Sequence, residues 1–296
     1  MNATDFEKIR NDNIEEYGKG TRHLAYFSDL YTTRTHFLYE LLQNAEDALR
    51  KRNQRSPPSG YVKFELQNNR LLIMHNGRPF NEADVKGVCG IGEGTKADDV
   101  SQIGKFGIGF KSVYGYTAAP RIHSERLHFE IRRFVEPHAL PENGMDTSNP
   151  GETCIELTFD TYEGKPDFRE RISPAKAVDE IANALKTLGL RSLLFLRHTE
   201  EISWSLPDGT SGTFLRDTRP AASAKNARYV DVTYSSTKES WLIFHRDMAV
   251  GDEGKTVTVE VAFLLEDNKV VRAQNTELVV YFPTEKTTEL GFLIQG

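Results

Sequence analysis

Eight of the chain's 22 glycines lie within 29 residues, between Gly87 and Gly115. Because glycine has no side chain, it weakens helices and strands but lets the backbone approach a ligand closely. Surface loops of this kind often carry the functional groups of a protein. The glycine density therefore predicts a mobile loop that approaches a ligand, with the regular structure of the fold on either side of it.

A helix is predicted before this loop, over residues 33–52, with a threonine at its start as the cap. Its apolar residues recur at helical spacing, at Phe37, Leu38, Leu41, Leu42, Ala45, Ala48 and Leu49. Glu40, Asn44 and Asp47 share a different stripe, about 120° from the apolar face at ~100° per residue. A polar stripe on an amphipathic helix is usually solvated, so this stripe alone predicts no chemistry.

The segments around the loop read mainly as strands. Residues 61–67 and 70–74 predict a hairpin around Asn68 and Asn69, followed by the turn His75-Asn76-Gly77, and Asn81 then caps a short helix. Residues 122–135 and 153–161 are predicted strands, separated by an insertion rich in Pro, Gly and Asn. Residues 174–188 predict a second amphipathic helix, with Pro174 in its first turn.

The pattern changes near His198, beyond which several short strands follow without long helices. They are predicted at residues 202–206, 213–215, 230–234, 241–244, 257–265 and 278–282. We therefore expect two domains, residues 1–198 and residues 199–296. The last seven residues read as the middle of a strand and turn, so we expect the chain to be part of a longer protein.

The composition limits the classes of partner. The 296 residues carry a formal net charge of -6, which gives no basic footprint for nucleic acid or an anionic membrane. No apolar run reaches the roughly 18 residues of a membrane span. Two cysteines cannot build a disulfide framework. We expect a cytoplasmic protein with no membrane and no nucleic-acid partner.

The end of the glycine-rich stretch, from Ile103 to Tyr114, is a glycine-rich turn that runs into an apolar helical segment. Such a turn suits phosphate, because backbone N–H groups and the start of a helix favour an anion. A dinucleotide-binding turn would need a strand directly before it, and residues 97–102 do not read as one. A P-loop is excluded because no Gly-Lys-Ser/Thr ends the turn.

Four motifs stand in a fixed order: ELLQNAEDA at residues 40–48, Asn76-Gly77, GTK at residues 94–96, and GKFGIGF at residues 104–110. Together they resemble the GHKL superfamily, which includes gyrase, the ninety-kilodalton heat-shock chaperone, histidine kinases and MutL. The loop sequence and Phe282-Pro283-Thr284 are most similar to the sacsin-type and chaperone-type branch. The resemblance covers residues 20–160 and is weaker beyond residue 200.

The resemblance implies an α+β fold. Its first part would be a Bergerat-type α/β sandwich, with a mixed, mainly antiparallel sheet and helices on one face. A smaller, strand-rich α+β domain, similar to a transducer domain and incomplete in this chain, would follow.

The resemblance also implies roles in binding ATP and Mg²⁺. Glu40 matches the general base that activates the attacking water, Asn44 the Mg²⁺ ligand, and Asp47 a carboxylate at the edge of the pocket. Thr153 matches a strand threonine that contacts adenine, often through water. The turn that cradles the phosphates matches Gly104, Phe106, Gly107, Ile108, Gly109, Phe110 and Lys111, with Lys96 and Lys105 as phosphate-neutralising side chains.

His75, which is followed by Asn76 and Gly77, departs from the family pattern. In the family this turn begins with an aspartate that accepts a hydrogen bond from the adenine amino group. A neutral imidazole can accept that bond through one nitrogen, whereas an imidazolium cannot. If His75 is the acceptor, ATP affinity should fall as the pH drops through the imidazole pKa. Alternatively, Asn76 or Asp84 supplies the contact, or backbone and water read the base.

The predicted function is an ATP-hydrolysing conformational switch. Residues 87–103 would form a lid over the nucleotide, and its closure would couple to homodimerisation through the N-terminal domain, with residues 1–22 as an exchanged arm. The larger protein would have a chaperone-like or anti-phage-defence role, with protein partners that the sequence does not name. A non-hydrolysing ATP-sensing scaffold is the alternative. A histidine kinase fits less well, because no dimerisation helix with a phospho-accepting histidine is read before the domain. A DNA-processing ATPase fits less well, because the net charge is acidic.

Overall fold

The computed structural model describes residues 5–17, 33–52, 59–90, 109–141, 151–159, 172–222, 224–250, 255–280 and 282–296. The chain divides into two compact units. The first consists of Met1–Thr187 with Trp204–Ser211, and the second of Leu188–Ser203 with Gly212–Gly296. The predicted boundary between residues 198 and 199 stays a prediction. None of the helices that the structure describes is long and apolar enough to cross a membrane.

Between residues 59 and 159, the described part of the first unit has strands in the order β1-β2-β6-β3-β4-β5, each antiparallel to its neighbours. Their bounds are β1 Tyr61–Leu66, β2 Arg70–His75, β3 Arg121–Ser124, β4 Leu127–Arg132, β5 Glu136–Ala139 and β6 Thr153–Thr158. The predicted hairpin is confirmed, with Leu66 opposite Leu71. β5 was not predicted, because Pro137 suggested an insertion. The structure places this proline in a terminal strand of the pairing order, where a missing N–H is tolerated.

The α-helices of the described residues that accompany these strands are α1 Phe6–Tyr17, α2 Phe37–Arg50, α3 Glu82–Cys89 and α4 Pro174–Lys186. The predicted helices of residues 33–52 and 174–188 are confirmed, but the threonine cap is not. Thr33 precedes the 3₁₀ turn Arg34–His36 and makes no side-chain cap hydrogen bond, and His36 precedes α2. α2 buries the apolar stripe read from the sequence, and Leu42 and Phe37 are fully enclosed. At the start of α3, the Asn81 side chain accepts from the Asp84 N–H while the Asp84 carboxylate accepts from the Asn81 N–H. This capping box satisfies two of the helix's otherwise unpaired donors.

The two ends of the glycine-rich stretch are regular structure rather than loop. Gly87 lies within α3, and a 3₁₀ helix spans Gly109–Gly115. Phe110, Val113 and Tyr114 are buried there, and their burial gives this segment the packing that glycine alone would not supply. The predicted helical segment after the glycines is thereby confirmed.

The N-terminal segment contains α1, which packs against β5 of the same chain. The Asn13 side-chain amide donates to the backbone oxygen of Val135 at 2.7 Å, and the rings of Phe6 and Phe129 lie 5.2 Å apart. Residues 6–17 are therefore a docked helix, and their exchange between subunits stays a prediction.

The second unit is rich in strands, as predicted. Its strands follow the order β14-β13-β15-β11-β10-β9-β8, mostly antiparallel with a parallel β13–β15 pair. The bounds, with β7 included, are β7 Glu201–Ser205, β8 Ser211–Pro220, β9 Ala227–Tyr234, β10 Thr237–Val250, β11 Lys255–Glu266, β12 Lys269–Val271, β13 Glu277–Val280, β14 Phe282–Thr287 and β15 Leu293–Gln295.

The prediction of short strands was wrong for β8, β10 and β11, which are 10, 14 and 12 residues long. The apolar pattern of β10 ends at Phe244, but backbone pairing continues through Arg246, which lies opposite Val259. Ladder hydrogen bonds do not depend on side-chain polarity, so a hydrophobic pattern underestimates such a strand. The described chain is thus an α+β protein with mixed, mainly antiparallel strand pairing.

Candidate functional site

A cavity opens in the first unit between α2, β2, α3 and the 3₁₀ helix. Its lining comprises Glu40, Leu41, Asn44, Ala45, Asp47, Ala48, Lys51, Ile73, His75, Arg78, Phe80, Asp84, Gly87, Val88, Gly109, Phe110 and Ile155. The lining combines apolar side chains with carboxylate, amide and imidazole groups. Such a mixture is typical of a small-molecule site, in which a few polar groups orient a ligand against apolar walls.

The polar stripe of α2 forms one wall of this cavity. Glu40, Asn44 and Asp47 all line it, and Asp47 is 4% exposed. The apolar face of α2 fixes the rotation of the helix, because Leu42 and Leu49 must be buried. The stripe therefore lines a cavity, which the spacing alone did not predict.

The Glu40 carboxylate joins α2 to the end of the glycine-rich stretch. Its Oε1 lies 3.4 Å from Nε2 of His36, one helical turn away. Its Oε2 lies against Gly109, where a Cβ on residue 109 would overlap the carboxylate. Gly109 thus leaves the space that the predicted general base occupies.

The ring of His75 is nearly buried, and its hydrogen bond fixes the positions of its hydrogens. The Gly77 N–H donates to Nδ1 at 3.2 Å. Burial lowers the pKa of His75 to about 4, so the ring is neutral near pH 7. Since Nδ1 accepts, the ring hydrogen is on Nε2. The expectation that His75 accepts a bond from a ligand is corrected, because the accepting nitrogen already serves Gly77.

Asp84 lines the cavity but already has partners on both oxygens. Arg78 Nη2 donates to Oδ1 and Oδ2, each at 2.8 Å, and the Asn81 N–H donates to Oδ2 at 2.8 Å. The carboxylate thus carries a close counter-ion. A base contact by Asp84 would compete with these bonds.

Asn76 and Gly77 shape the turn and are not part of the cavity lining. The Asn76 side chain accepts from the Tyr61 N–H at 3.0 Å and donates to the Ser59 oxygen at 2.9 Å. A Cβ on Gly77 would lie 2.7 Å from Ala48 Cβ and 2.8 Å from the Leu49 nitrogen. The Asn-Gly pair therefore lets the turn lie directly on α2.

Thr153 supports the cavity wall indirectly, through Ser124. Its hydroxyl pairs with the Ser124 hydroxyl at 2.6 Å, and Ser124 accepts from the N–H of Phe80 at 3.0 Å. Phe80 is part of the lining. Thr153 also lies opposite His75 in the β2–β6 pairing, so it supports two elements of the cavity wall.

Lys111 is fully buried and is not part of the cavity lining. Nζ donates to the Val88 oxygen at 2.6 Å and to the Phe134 oxygen at 2.5 Å. Burial lowers the pKa of Lys111 to about 8. This side chain connects the start of the 3₁₀ helix with the end of α3.

The structure brings Glu40, Asn44, Asp47, His75, Gly109 and Phe110 of the predicted set to the cavity. Lys96, Gly104, Lys105, Phe106, Gly107 and Ile108 lie outside the described residues, so their roles stay predictions. Sequence reasoning missed Arg78 and Phe80 in the lining and His36 beside Glu40. A basic residue directly after Asn-Gly was the available signal for Arg78. Nothing in the sequence singled out His36.

The cavity, with α2 on one side and the glycine-bearing segment beside it, is consistent with a GHKL-type N-terminal domain. Residues 20–165 match the family model described as "Sacsin domain". The match supports a sacsin-type, HSP90-like domain in this part of the chain.

The relatives agree with this family. The chain is 28% identical over 295 residues to "Protein NO VEIN" of Arabidopsis thaliana, covering 90% of this chain and 10% of that protein. It is 29% identical over 234 residues to human "Sacsin", covering 66% and 5%. It is 31% identical over 189 residues to "Chaperone protein HtpG" of Enterobacter sp. (strain 638), covering 54% and 30%. The chain thus spans a small part of the length of each relative.

Proposed function

We propose that the first unit is a Bergerat-type module that binds Mg-ATP and hydrolyses it to drive a conformational switch. The observation that carries the proposal is the position of Glu40, a carboxylate in the cavity wall directly beside Gly109. A general base has to lie within hydrogen-bond reach of the water that it activates. Glu40 borders open space on one side and the glycine-bearing segment on the other.

In this proposal each group on the α2 wall has a separate task. Glu40 orients the water and takes its proton. Asn44 supplies an oxygen ligand to Mg²⁺, which neutralises charge on the phosphates when it is bound. No cluster of three or more His, Cys, Asp or Glu side chains within the described residues forms a metal site of its own. This fits Mg²⁺ that arrives with a nucleotide, since it then needs only one or two protein ligands.

Glu40→Gln tests the chemistry while keeping the shape of the side chain. We expect phosphate release from Mg-ATP to fall at least about a hundredfold, and ATP affinity by calorimetry to change little. Glu82→Gln is the matched control, because Glu82 lies on α3 with its carboxylate paired to Lys86 at 2.9 Å and outside the cavity lining. Equal background rates for the wild type and Glu40→Gln would favour the ATP-sensing scaffold.

The switch itself is proposed as closure of residues 87–103 over the nucleotide, coupled to homodimerisation of this unit. The support is the glycine-rich sequence and the family model that residues 20–165 match. Ligand contacts made only in the closed state would shift its population, and hydrolysis would remove them. Light scattering with a non-hydrolysable ATP analogue should then detect a dimer. A monomer with and without the analogue would exclude the coupling.

We further propose a chaperone-like role, in the cytoplasm, for a longer protein that carries this module. The similarity to a protein named as a chaperone supports it. A role in anti-phage defence rests on the sequence resemblance alone. Because a domain family does not identify a client, protein partners have to be found by experiment.

A further inference from the structure

The turn after β2 determines which nitrogen of the His75 ring can donate a hydrogen bond. The Gly77 N–H donates to Nδ1 at 3.2 Å, so Nδ1 carries no hydrogen. In a neutral imidazole the other ring nitrogen then carries it. The turn therefore selects the tautomer with Nε2–H.

The ring of His75 is part of the cavity lining. Because Nδ1 already accepts from the Gly77 N–H, Nε2–H is the polar group of the ring that remains for a ligand. The hydrogen bond that His75 can offer in this cavity is therefore that of a donor.

The buried position of the ring keeps this arrangement at physiological pH. Burial lowers the pKa of His75 to about 4, so the ring stays neutral over the usual range of binding assays. An imidazolium would present hydrogens at both nitrogens and could not accept from Gly77. The cavity therefore has a donor at this position, where the superfamily has an acceptor.

We propose that His75 Nε2–H donates to an acceptor atom on the edge of the bound base, so that the site takes 6-oxopurine triphosphates as readily as ATP. This inference rests on the proposed function of the same cavity. Nε2–H cannot bond to the amino group of adenine, but it can bond to the unprotonated N1 of adenine or of purine, or to the oxygen at position 6 of hypoxanthine. Each of the three bases therefore offers it one acceptor.

Selectivity follows from which bond the site requires. A site built to bond one group of a ligand rejects analogues that lack it by factors of roughly 10⁴. A site that makes no bond to that group does not discriminate in this way. With a donor at position 75, the amino group of adenine should contribute nothing to affinity.

The test is calorimetric titration of the full chain with three magnesium triphosphates. ATP carries the amino group, inosine triphosphate carries an oxygen in its place, and purine riboside triphosphate carries neither. We expect the three dissociation constants of the wild type to agree within about threefold. A preference of the wild type for ATP over inosine triphosphate by about tenfold or more would overturn the proposal.

His75→Asp and His75→Asn form a matched pair of variants. Both are small and both have an oxygen that can accept from Gly77, but only aspartate presents a second acceptor to the base. Asparagine keeps an N–H donor. We expect the aspartate variant to prefer ATP over inosine triphosphate by about tenfold or more, and the asparagine variant to remain unselective.

The outcomes separate this inference from the proposed function. Equal selectivity in the aspartate and asparagine variants would overturn the role of His75 while leaving ATP binding intact. Failure of all three triphosphates to bind the wild type would overturn the proposed function together with this inference. If a variant does not fold, the wild-type series decides alone.

Discussion

The Glu40 carboxylate and Gly109 occupy adjoining space, so that a Cβ on residue 109 would stand where the carboxylate now lies. The overlap concerns the far end of a flexible side chain, which can rotate away. The two residues come from different elements, α2 and the 3₁₀ helix Gly109–Gly115. Gly109 is therefore coupled to the position of Glu40 more than to the stability of the fold.

Gly109→Ala should consequently lower activity without unfolding the protein. We expect the melting temperature to change little and phosphate release to fall between about tenfold and a hundredfold, because Glu40 is displaced from its place. Gly189→Ala is the control, since nothing lies within 4 Å of a Cβ at that position. A variant with full activity would show that the position of Glu40 does not matter to the reaction.

Gly77→Ala, in contrast, should lower the stability of the fold. Its Cβ would meet Ala48 Cβ at 2.7 Å and the Leu49 nitrogen at 2.8 Å, so atoms of α2 itself would have to move. Overpacking of this kind typically costs about 1–3 kcal/mol. Denaturant unfolding monitored by circular dichroism should show a loss of this size, and stability equal to that of Gly189→Ala would contradict the prediction.

Lys111 should make the stability depend on pH in the alkaline range. Its folded pKa is lowered to about 8 from 10.5, so between these values the unfolded chain holds a proton that the folded chain has released. Stability contributed by this residue therefore rises with pH from about 8 to 10.5, by up to ~1.4 kcal/mol per pH unit. Below pH 8 both states are protonated and the contribution is constant.

Lys111→Met removes this titration and leaves the Val88 and Phe134 oxygens without their donor. Urea unfolding of both proteins between pH 7 and 10 should show that the stability difference, wild type minus variant, increases with pH. A difference that does not change with pH would contradict the lowered pKa.

His75 should make the stability depend on pH in the acidic range. Burial lowers the pKa of His75 in the folded chain to about 4 from 6.5. Between pH 6.5 and 4 the unfolded chain therefore binds a proton at this residue that the folded chain does not bind. Stability should fall as the pH drops from 6.5 to 4, by up to ~1.4 kcal/mol per pH unit, and change no further below 4. His75→Asn lacks the titration, and the difference between the two urea-unfolding profiles should be confined to this window.

The sequence predicted those elements whose pattern is local. The helical spacing of apolar residues located α2 and α4, and the run around Asn68 and Asn69 located the hairpin of β1 and β2. It did not predict β5, nor the full length of β10, because both are held by backbone pairing with the neighbouring strands β4 and β11. Local side-chain polarity carries no record of that pairing.

The candidate site shows the same division. Four motifs in a fixed order indicated which residues belong together, and the stripe of Glu40, Asn44 and Asp47 was readable from spacing. That the stripe faces a cavity was decided by the burial of the opposite side of α2. The connection of Thr153 through Ser124 to Phe80 depends on strand register, which no single segment specifies.

His75 separates most clearly what sequence and structure each determine. The sequence by itself determined that a histidine stands where the superfamily has an aspartate, and that an imidazole can either accept or donate. The tertiary structure decided between these roles, because the Gly77 N–H occupies Nδ1 while burial keeps the ring neutral. The identity of a side chain sets its available chemistry, but only its neighbours in the fold determine which nitrogen carries the hydrogen.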